Sequence, residues 1–420
     1  MKIAVIGTGY VGLPTGAGFA SLGHKVVCVD KDADKVDKLN QGIPTIFERG
    51  LTRLLKYALS ENNIRFTTDL ADAVKDAELI IIAVGTPTAN NSKQADLSFI
   101  YAVAEELKTC MPQHYTVVAT KSTVPIKTGD KIEEILQGCN CDVISLPEFL
   151  REGFAVEDFF YPDRIVCGTN SQQARHLIGK LYSAKNVLYV SRKSAELIKY
   201  ASNAFLAMKI HYINEIADVC EQTGADVMEV AKGMGLDTRI GNKFLNAGIG
   251  YGGSCFPKDT LAMSYIGEEY GVNLSLVNTT IEGNNNRINE FANKILKEGV
   301  GAKIAVLGLA FKNNTDDCRQ SPAMQIVQKI SQLNQINVYD PQAMENAKTM
   351  LNDVNYCENI YEAVTGADIC VILTEWTQFR DMDLKKVYRL MNNKILLDFR
   401  NVIDKQKAID IGFKYKGVGR

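Results

Sequence analysis

Short runs at residues 2–6, 25–29, 79–84, 116–120, 142–145 and 164–167 are rich in valine and isoleucine, and most are apolar at consecutive positions. A strand covered on one face alternates apolar and polar residues; a strand covered on both faces does not. These runs therefore predict buried parallel strands. Between them, residues 10–22 and 98–109 place apolar side chains at helical spacing. Strand and helix in alternation predict a doubly wound α/β sheet.

The pattern changes near residue 192. From residue 194 to 223 there is no glycine or proline, and Leu197, Tyr200, Ala201, Ala204, Phe205, Met208, Tyr212, Ile213 and Ile216 recur at helical spacing. That predicts one long helix stopped by Gly224. Helical patterning continues to about residue 298. Then the opening of the chain recurs: Lys303-Ile304-Ala305-Val306-Leu307-Gly308 echoes Lys2-Ile3-Ala4-Val5-Ile6-Gly7. Further strands are expected at 336–339, 369–373 and 395–398. The expected architecture is α/β, with two Rossmann-like doubly wound domains joined by a long central helix and a helical region. The boundaries fall at 1–192, 193–299 and 300–420.

Composition narrows the function. A chain of 420 residues exceeds one ordinary core. A net charge of −2 argues against the broad basic face of a nucleic-acid protein. No apolar run approaches the ~20 residues of a membrane span. The first residues, MKIAVIGTGYVGL, are broken by glycines and read as a strand and turn, not a signal peptide. A reducing cytoplasm is expected, with the cysteines as thiols. The ten cysteines are scattered and there are four histidines, so no metal site is expected.

Gly7-Thr8-Gly9-Tyr10-Val11-Gly12 follows the first strand and opens a helix, and Asp30 ends the next strand. This spacing is a dinucleotide fingerprint. Gly7 makes the tight turn, Gly9 lets backbone approach a pyrophosphate, and Gly12 permits close helix–strand packing. The Asp30 carboxylate suits ribose hydroxyls and repels a 2′-phosphate, which favours NAD; Lys31 and Lys35 soften that preference. Thr86 and the Thr120–Val124 segment lie at carboxyl ends of strands, the edge where such sheets bind ligands. After Gly308 the second domain reads Leu309-Ala310-Phe311-Lys312, without the further glycines. The fold is expected to survive there without the dinucleotide function; Lys312 and Arg319 suit either phosphates or a solvated basic stretch after a strand.

Cys255 stands out among the cysteines. Gly248, Gly250, Gly252 and Gly253 precede it, and Pro257 suits the first position of a helix. A thiol just before a helix N-terminus, with Lys258 within a turn, is a credible activated nucleophile. Lys199 and Asn203 lie four apart on the long helix, hence on one face. Glu148 and Glu152 flank Phe149-Leu150-Arg151 after a strand end; they suit a base and a water-positioner, or partners for arginine.

In order along the chain stand GTGYVGLPTGAGFASLGHKVVCVD, GTPT, TKSTVP, PEFLREG, AELIKYASNAFLAMKI, RIGNKFL, GYGGSCFPKDT, AFKNNTDDCRQSP and DFRNVID. Together they resemble the UDP-glucose/GDP-mannose dehydrogenase family over nearly the whole length. The resemblance implies a Rossmann NAD domain and a Rossmann-like UDP-sugar domain joined by a central helix that serves a homodimer. It implies oxidation of UDP-glucose at C6 to UDP-glucuronate with two NAD⁺. Cys255 would be the nucleophile, passing through a thiohemiacetal and a thioester. Lys199 would stabilise the oxyanion, and Asp259 would act with it through a water as base. Glu152 would assist thioester hydrolysis, with Thr123 holding the water.

The same resemblance implies the binding residues. Glu148, Phe149, Leu150, Arg151, Lys199 and Asn203 match sugar-contacting positions. Phe244, Leu245, Asn246, Ala247, Gly248 and Gly252 match the substrate loop. Phe311, Lys312 and Arg400 match positions near the sugar nucleotide, and Arg239 matches an arginine of the partner subunit. Gly7, Gly9, Tyr10, Val11, Gly12, Asp30, Lys35, Thr86, Thr123, Glu152, Lys258 and Arg319 match NAD contacts. Asn246 departs from a lysine found in animal enzymes. GDP-mannose or a UDP-N-acetylhexosamine is the alternative substrate. Two readings outside the family remain open, a two-electron hydroxyacid dehydrogenase and a non-catalytic NAD-binding regulator.

Overall fold

The computed structural model describes residues 1–90, 92–183 and 186–420. The chain forms two compact units, Met1–Ser202 and Asn203–Arg420.

The first unit is built on an eight-stranded sheet with the order β3-β2-β1-β4-β5-β6-β7-β8. The strands are β1 Lys2–Ile6, β2 Lys25–Val29, β3 Ile64–Thr67, β4 Leu79–Ile82, β5 Thr116–Thr120, β6 Cys141–Ser145, β7 Ile165–Gly168 and β8 Val187–Val190. Neighbours pair in parallel except β6 and β7, which meet antiparallel at Ser145 and Gly168. The apolar runs have a physical cause. Ile3 and Val5 point to one face and pack with Leu13 and Phe19. Ala4 and Ile6 point to the other and pack with Ile80, Ile82 and Val118. Both faces are covered, so neither tolerates a polar side chain.

The second unit holds a six-stranded parallel sheet, β11-β10-β9-β12-β13-β14. Its strands are β9 Lys303–Leu307, β10 Gln335–Tyr339, β11 Asn355–Tyr356, β12 Ile369–Ile372, β13 Ile395–Asp398 and β14 Lys414–Gly417. This order repeats that of β3-β2-β1-β4-β5-β6 position for position. The turn after the first strand repeats too. Gly7 has φ +98° and donates to the Val29 carbonyl at 2.8 Å; Gly308 has φ +104° and donates to the Tyr339 carbonyl at 2.8 Å. Left-handed backbone at both positions requires glycine.

The strands absent from the sequence reading, β3, β8, β11 and β14, are the outer strands of the two sheets. An outer strand lacks a neighbour on one side and is less completely covered. Its pattern is mixed: Arg65 in β3 and Lys414 and Lys416 in β14 are exposed.

The long helix spans Arg192–Thr223, two residues longer at its start than the pattern predicts, and runs from the first unit into the second. Gly224, at φ +79°, ends it and donates to the Cys220 carbonyl at 2.9 Å. Among the described residues no helix is long and apolar enough to cross a membrane.

Candidate active site

The glycine-rich turn of the first unit is built as the fingerprint requires, with one difference. A Cβ at Gly9 would meet no protein atom within 4 Å, so the backbone there is open to close approach. A Cβ at Gly12 would lie 1.8 Å from the Gly7 carbonyl oxygen and 3.3 Å from Ala83 Cβ. Gly12 is thus forced first by the turn itself, and only second by helix–strand packing. Tyr10 and Val11 are half-buried where the Gly12–Ser21 helix begins, and no acidic residue occupies its first turn.

Asp30 is held from the carboxyl end of the neighbouring strand β1. Its carboxylate accepts from the Thr8 hydroxyl at 2.5 Å and from the Thr8 and Asp32 amides at 3.2 Å each. Burial alone would raise this carboxyl. The Thr8 and Asp32 hydrogen bonds, with the charge of Lys35, outweigh it and hold the group below the usual carboxylate range. Asp30 is therefore an anion at any physiological pH. Thr8 carries this orientation, although sequence reasoning gave it no role beyond a variable letter of the motif. An open backbone at Gly9, an acid-free helix start and an ionised Asp30 fit the pyrophosphate and ribose of NAD.

Thr86 and Thr123 meet at the strand ends of the same unit: the Thr86 hydroxyl donates to the Thr123 carbonyl at 2.9 Å. Lys199 and Glu148 also meet. Lys199 Nζ donates to Glu148 Oε1 at 3.0 Å, and both residues are buried. The second Glu148 oxygen accepts from the Leu150 amide. The Phe149 ring lies 5.4 Å from Lys199 Nζ and 3.9 Å from the Arg164 guanidinium. Arg151 pairs with Asp158 at 2.5 Å rather than with either flanking glutamate. Just after Glu152, the amides of Gly153 and Ala155 donate to Glu48 at 2.7 and 2.9 Å. Glu48 is buried and lies about a hundred residues upstream, with no local motif to mark it. Lys121 is a further buried cation near this pair. Burial lowers its pKa to about 8, with Glu148 opposing and Lys199 adding to the shift.

In the second unit, Cys255 is the cap residue of the helix Phe256–Glu269. Pro257 occupies the second helical position, not the first, because Phe256 already has helical geometry. Proline is still tolerated there, since the first amides of a helix have no internal partner. One turn in, the Asp259 amide donates to the Cys255 carbonyl at 2.9 Å. The Asp259 side chain is fully buried and accepts from Asn203 Nδ2 at 2.6 Å and Lys258 Nζ at 2.5 Å. A buried carboxylate is stable only with such donors.

The glycines before Cys255 have neighbours where a side chain would start. A Cβ would lie 2.6 Å from Asn284 Oδ1 at Gly250, 2.4 Å from the Gln320 carbonyl at Gly252, and 2.7 Å from the Phe311 ring at Gly253. Asn284 pairs with both backbone groups of Tyr251, accepting at 2.8 Å and donating at 3.1 Å. Asn214 accepts from the Gly248 amide at 2.8 Å, and buried Arg287 donates to its carbonyl at 2.6 Å. None of these three anchors was legible in the sequence. Leu245 and Ala247 place their side chains in the core, while Asn246 is exposed and Phe244 half-buried at φ +65°.

Arg400 donates to the carbonyls of Leu373 at 2.8 Å and Phe311 at 3.1 Å, and its guanidinium lies against Gly248. Lys312 lies over the Phe311 ring at 5.3 Å. So Phe311, Lys312, Arg400, Gly248 and Gly252 are brought together. Arg319 and Arg239 instead pair with nearby Asp317 and Asp237 at 2.7 and 2.6 Å, and the Arg239 side chain is 88% exposed. The position matching Asp30 is Asp340. Its carboxylate accepts from the amides of Leu309 and Ala310 at 2.8 and 3.0 Å, from the Trp376 indole at 3.1 Å, and from the Gln342 and Ala343 amides at 2.9 Å each. With five donors already seated, Asp340 has no capacity for a ribose.

Comparison with known proteins adds relatives. Models of the UDP-glucose/GDP-mannose dehydrogenase family match its NAD binding domain to residues 1–186, its central domain to 193–286 and its UDP binding domain to 305–405. A UDP-glucose 6-dehydrogenase of Rhizobium meliloti (strain 1021) is 46% identical over 436 residues, spanning 100% of both chains. The UDP-glucose 6-dehydrogenase TuaD of Bacillus subtilis (strain 168) is 42% identical, covering 100% of this chain and 93% of its own. The solved UDP-glucose dehydrogenase of Pyrobaculum islandicum superposes with a TM-score of 0.91 at 37% identity, over 99% of this chain and 97% of that one.

Proposed function

Because this chain belongs to the UDP-glucose/GDP-mannose dehydrogenase family, we propose that both units serve one reaction. It is the NAD-dependent oxidation of UDP-glucose and water to UDP-glucuronate, with two NAD⁺ reduced. The observation that carries this reading is Asp259. A fully buried carboxylate with two side-chain donors, one helical turn after a cysteine that caps the same helix, suits a nucleophile and its base.

Bound NAD⁺ supplies the chemistry the side chains lack, acceptance of hydride at its nicotinamide. By the family resemblance, the residues that would hold it are Gly7, Gly9, Tyr10, Val11, Gly12, Asp30, Lys35, Thr86, Thr123 and Glu152, and the same resemblance assigns it Lys258 and Arg319. The chain's own residues handle protons and acyl transfer. Asp259 takes the C6 hydroxyl proton through a water as the alcohol becomes an aldehyde. The Cys255 thiolate adds to C6, forming a C–S bond and an oxyanion that Lys199 neutralises. Loss of a second hydride leaves a thioester. Water held by Thr123 and Glu152 attacks the acyl carbon, the C–S bond breaks, and sulfur departs with the electron pair as the thiolate. Asn203, Glu148, Phe149, Leu150 and Arg151 orient the sugar. Phe244 to Gly248, Gly252, Phe311, Lys312 and Arg400 hold the nucleotide sugar.

The functional division at 1–192, 193–299 and 300–420, a homodimer in which Arg239 serves the partner's site, and a reducing cytoplasmic setting belong to the same proposal. The test is a panel of nucleotide sugars with NADH counted per substrate consumed. Two NADH per UDP-glucose is expected. A value of one, or preference for GDP-mannose or a UDP-N-acetylhexosamine, overturns the assignment.

A further inference from the structure

Glu196 sits on the long helix three residues before Lys199, is buried, and has no place in the chemistry above. It closes a turn distant in sequence. Its carboxylate accepts from the Lys127 amide at 2.8 Å, the Gly129 amide at 2.9 Å and the Ser145 hydroxyl at 3.0 Å. These groups belong to the end of β6 and to the turn that opens the helix Thr128–Ile135. Lys127 has φ +74°, a left-handed conformation that a side-chain-bearing residue keeps only when its surroundings impose it. The turn has no slack: a Cβ at Gly129 would lie 3.0 Å from Glu196 Oε1. One helical turn earlier, Arg192 adds ion pairs to Asp130 at 2.8 Å and Glu133 at 2.6 Å. The catalytic helix therefore grips the segment that follows Thr123 at two successive levels.

Beneath that grip is a cavity of about 10 Å³ lined by Thr120, Ser122, Thr123, Ser145, Glu196 and Lys199. This is the size of a single water site. The Thr120 hydroxyl is buried and has no hydrogen-bond partner among the described residues. A water there would satisfy it and would touch Thr123, the residue proposed to hold the hydrolytic water, and Lys199.

We propose that Glu196 is a positioning residue for thioester hydrolysis, fixing Thr123 and Lys199 around a one-water cavity by clamping the Lys127–Gly129 turn. The inference rests on the thioester reading above. Oxidation depends on Cys255, Asp259 and Lys199, whereas hydrolysis also depends on where Thr123 holds water. Loosening the clamp slows the second process more than the first.

The test is rapid mixing of Glu196→Gln with saturating UDP-glucose and NAD⁺. Glutamine keeps one acceptor oxygen, but the position its NH2 takes cannot accept, so either the Lys127 or the Gly129 N–H loses its partner. The expected result is a burst of two NADH per site and a steady rate lower by about 10- to 100-fold, the scale of a misplacement near 1 Å. Acid-quenched enzyme should carry a UDP-glucuronyl adduct on Cys255 by intact mass. Wild-type steady turnover, or a parallel loss of burst and steady rate with no adduct, overturns the proposal. If Glu196→Gln does not fold, Ser145→Ala removes one donor and leaves the carboxylate; it should give the same burst and adduct with a smaller steady deficit, and their absence is equally fatal. Wild-type enzyme is the separate control. One NADH per substrate there breaks the thioester reading itself; two NADH in wild type without adduct in the variants breaks this inference alone.

Discussion

Lys199 and Glu148 form an ion pair at 3.0 Å in which each side chain is 5% exposed. Two charges so far from water are costly to desolvate, and their attraction roughly offsets that cost only while both are present. The pair therefore adds little net stability, yet it fixes the ammonium at one point. A charge so fixed is what the oxyanion role proposed for Lys199 requires.

Glu148→Gln is expected to lose about 3–5 kcal/mol of stability, the usual consequence of leaving one buried charge unpaired. Lys199→Met with Glu148→Leu should recover most of that loss while remaining inactive. Urea denaturation of the single and double variants decides it. A cost near zero for Glu148→Gln would show that the pair is solvated in solution.

Lys121 gives stability a pH dependence of known sign. Its folded pKa is lowered to about 8 by burial, so between pH 8 and the ordinary lysine range the unfolded chain binds a proton that the folded chain does not. Stability then rises with pH through that window and is flat in this respect below it. Lys121→Met should be the more stable protein at pH 7, with its advantage shrinking by pH 10. Urea midpoints that keep a constant separation across that range would contradict the shift.

Two glycine replacements separate packing from ligand approach. Gly252→Ala drives a Cβ to within 2.4 Å of the Gln320 carbonyl, a backbone atom with little room to yield. It should cost about 1–3 kcal/mol. Gly9→Ala meets no protein atom and should leave stability within about 1 kcal/mol of wild type. Its NAD affinity should nonetheless fall, measured by fluorescence titration. Unchanged affinity would mean the pyrophosphate does not pass close to Gly9.

Cys255→Ser should abolish turnover and retain NAD binding. In the unmodified protein, iodoacetamide near neutral pH should label Cys255 first. Cys28, Cys167, Cys318 and Cys370 are buried, and burial pushes their thiols up. Cys141 is pushed up to about 11, also mainly by burial. Cys139, half-buried, is the relevant competitor. Labelling of Cys139 ahead of Cys255, followed by peptide mapping, would count against an activated thiol.

What the sequence disclosed and what it hid have physical reasons. β1, β4 and β5 were plain because both faces of each are buried and no polar residue interrupts them. The outer strands were missed because the same rule does not apply at an edge. Cys255 and Asp30 announced themselves through short-range context, a helix start and a strand end, whereas Asp259 came only with the family resemblance. Asn284, Arg287, Glu48, Glu196 and Asp340 act across long sequence separations, and nothing in their neighbours' identities specifies the partner. The resemblance assigns Gly248 and Gly252 to the substrate loop, where glycine would leave room for a ligand. At Gly250, Gly252 and Gly253 that room is already taken by Asn284, Gln320 and Phe311.

The helix Arg192–Thr223 sets a limit on how this protein can change over generations. Lys199 and Asn203 are placed by one uninterrupted helix, and each residue of an α-helix advances the next by about 100°. Inserting or deleting a single residue between them would turn one side chain away from the other's direction. Point substitutions can drift through this segment, but length cannot. Lineages that lengthen or shorten the protein are expected to do so in its connecting loops, leaving the count from lysine to asparagine intact.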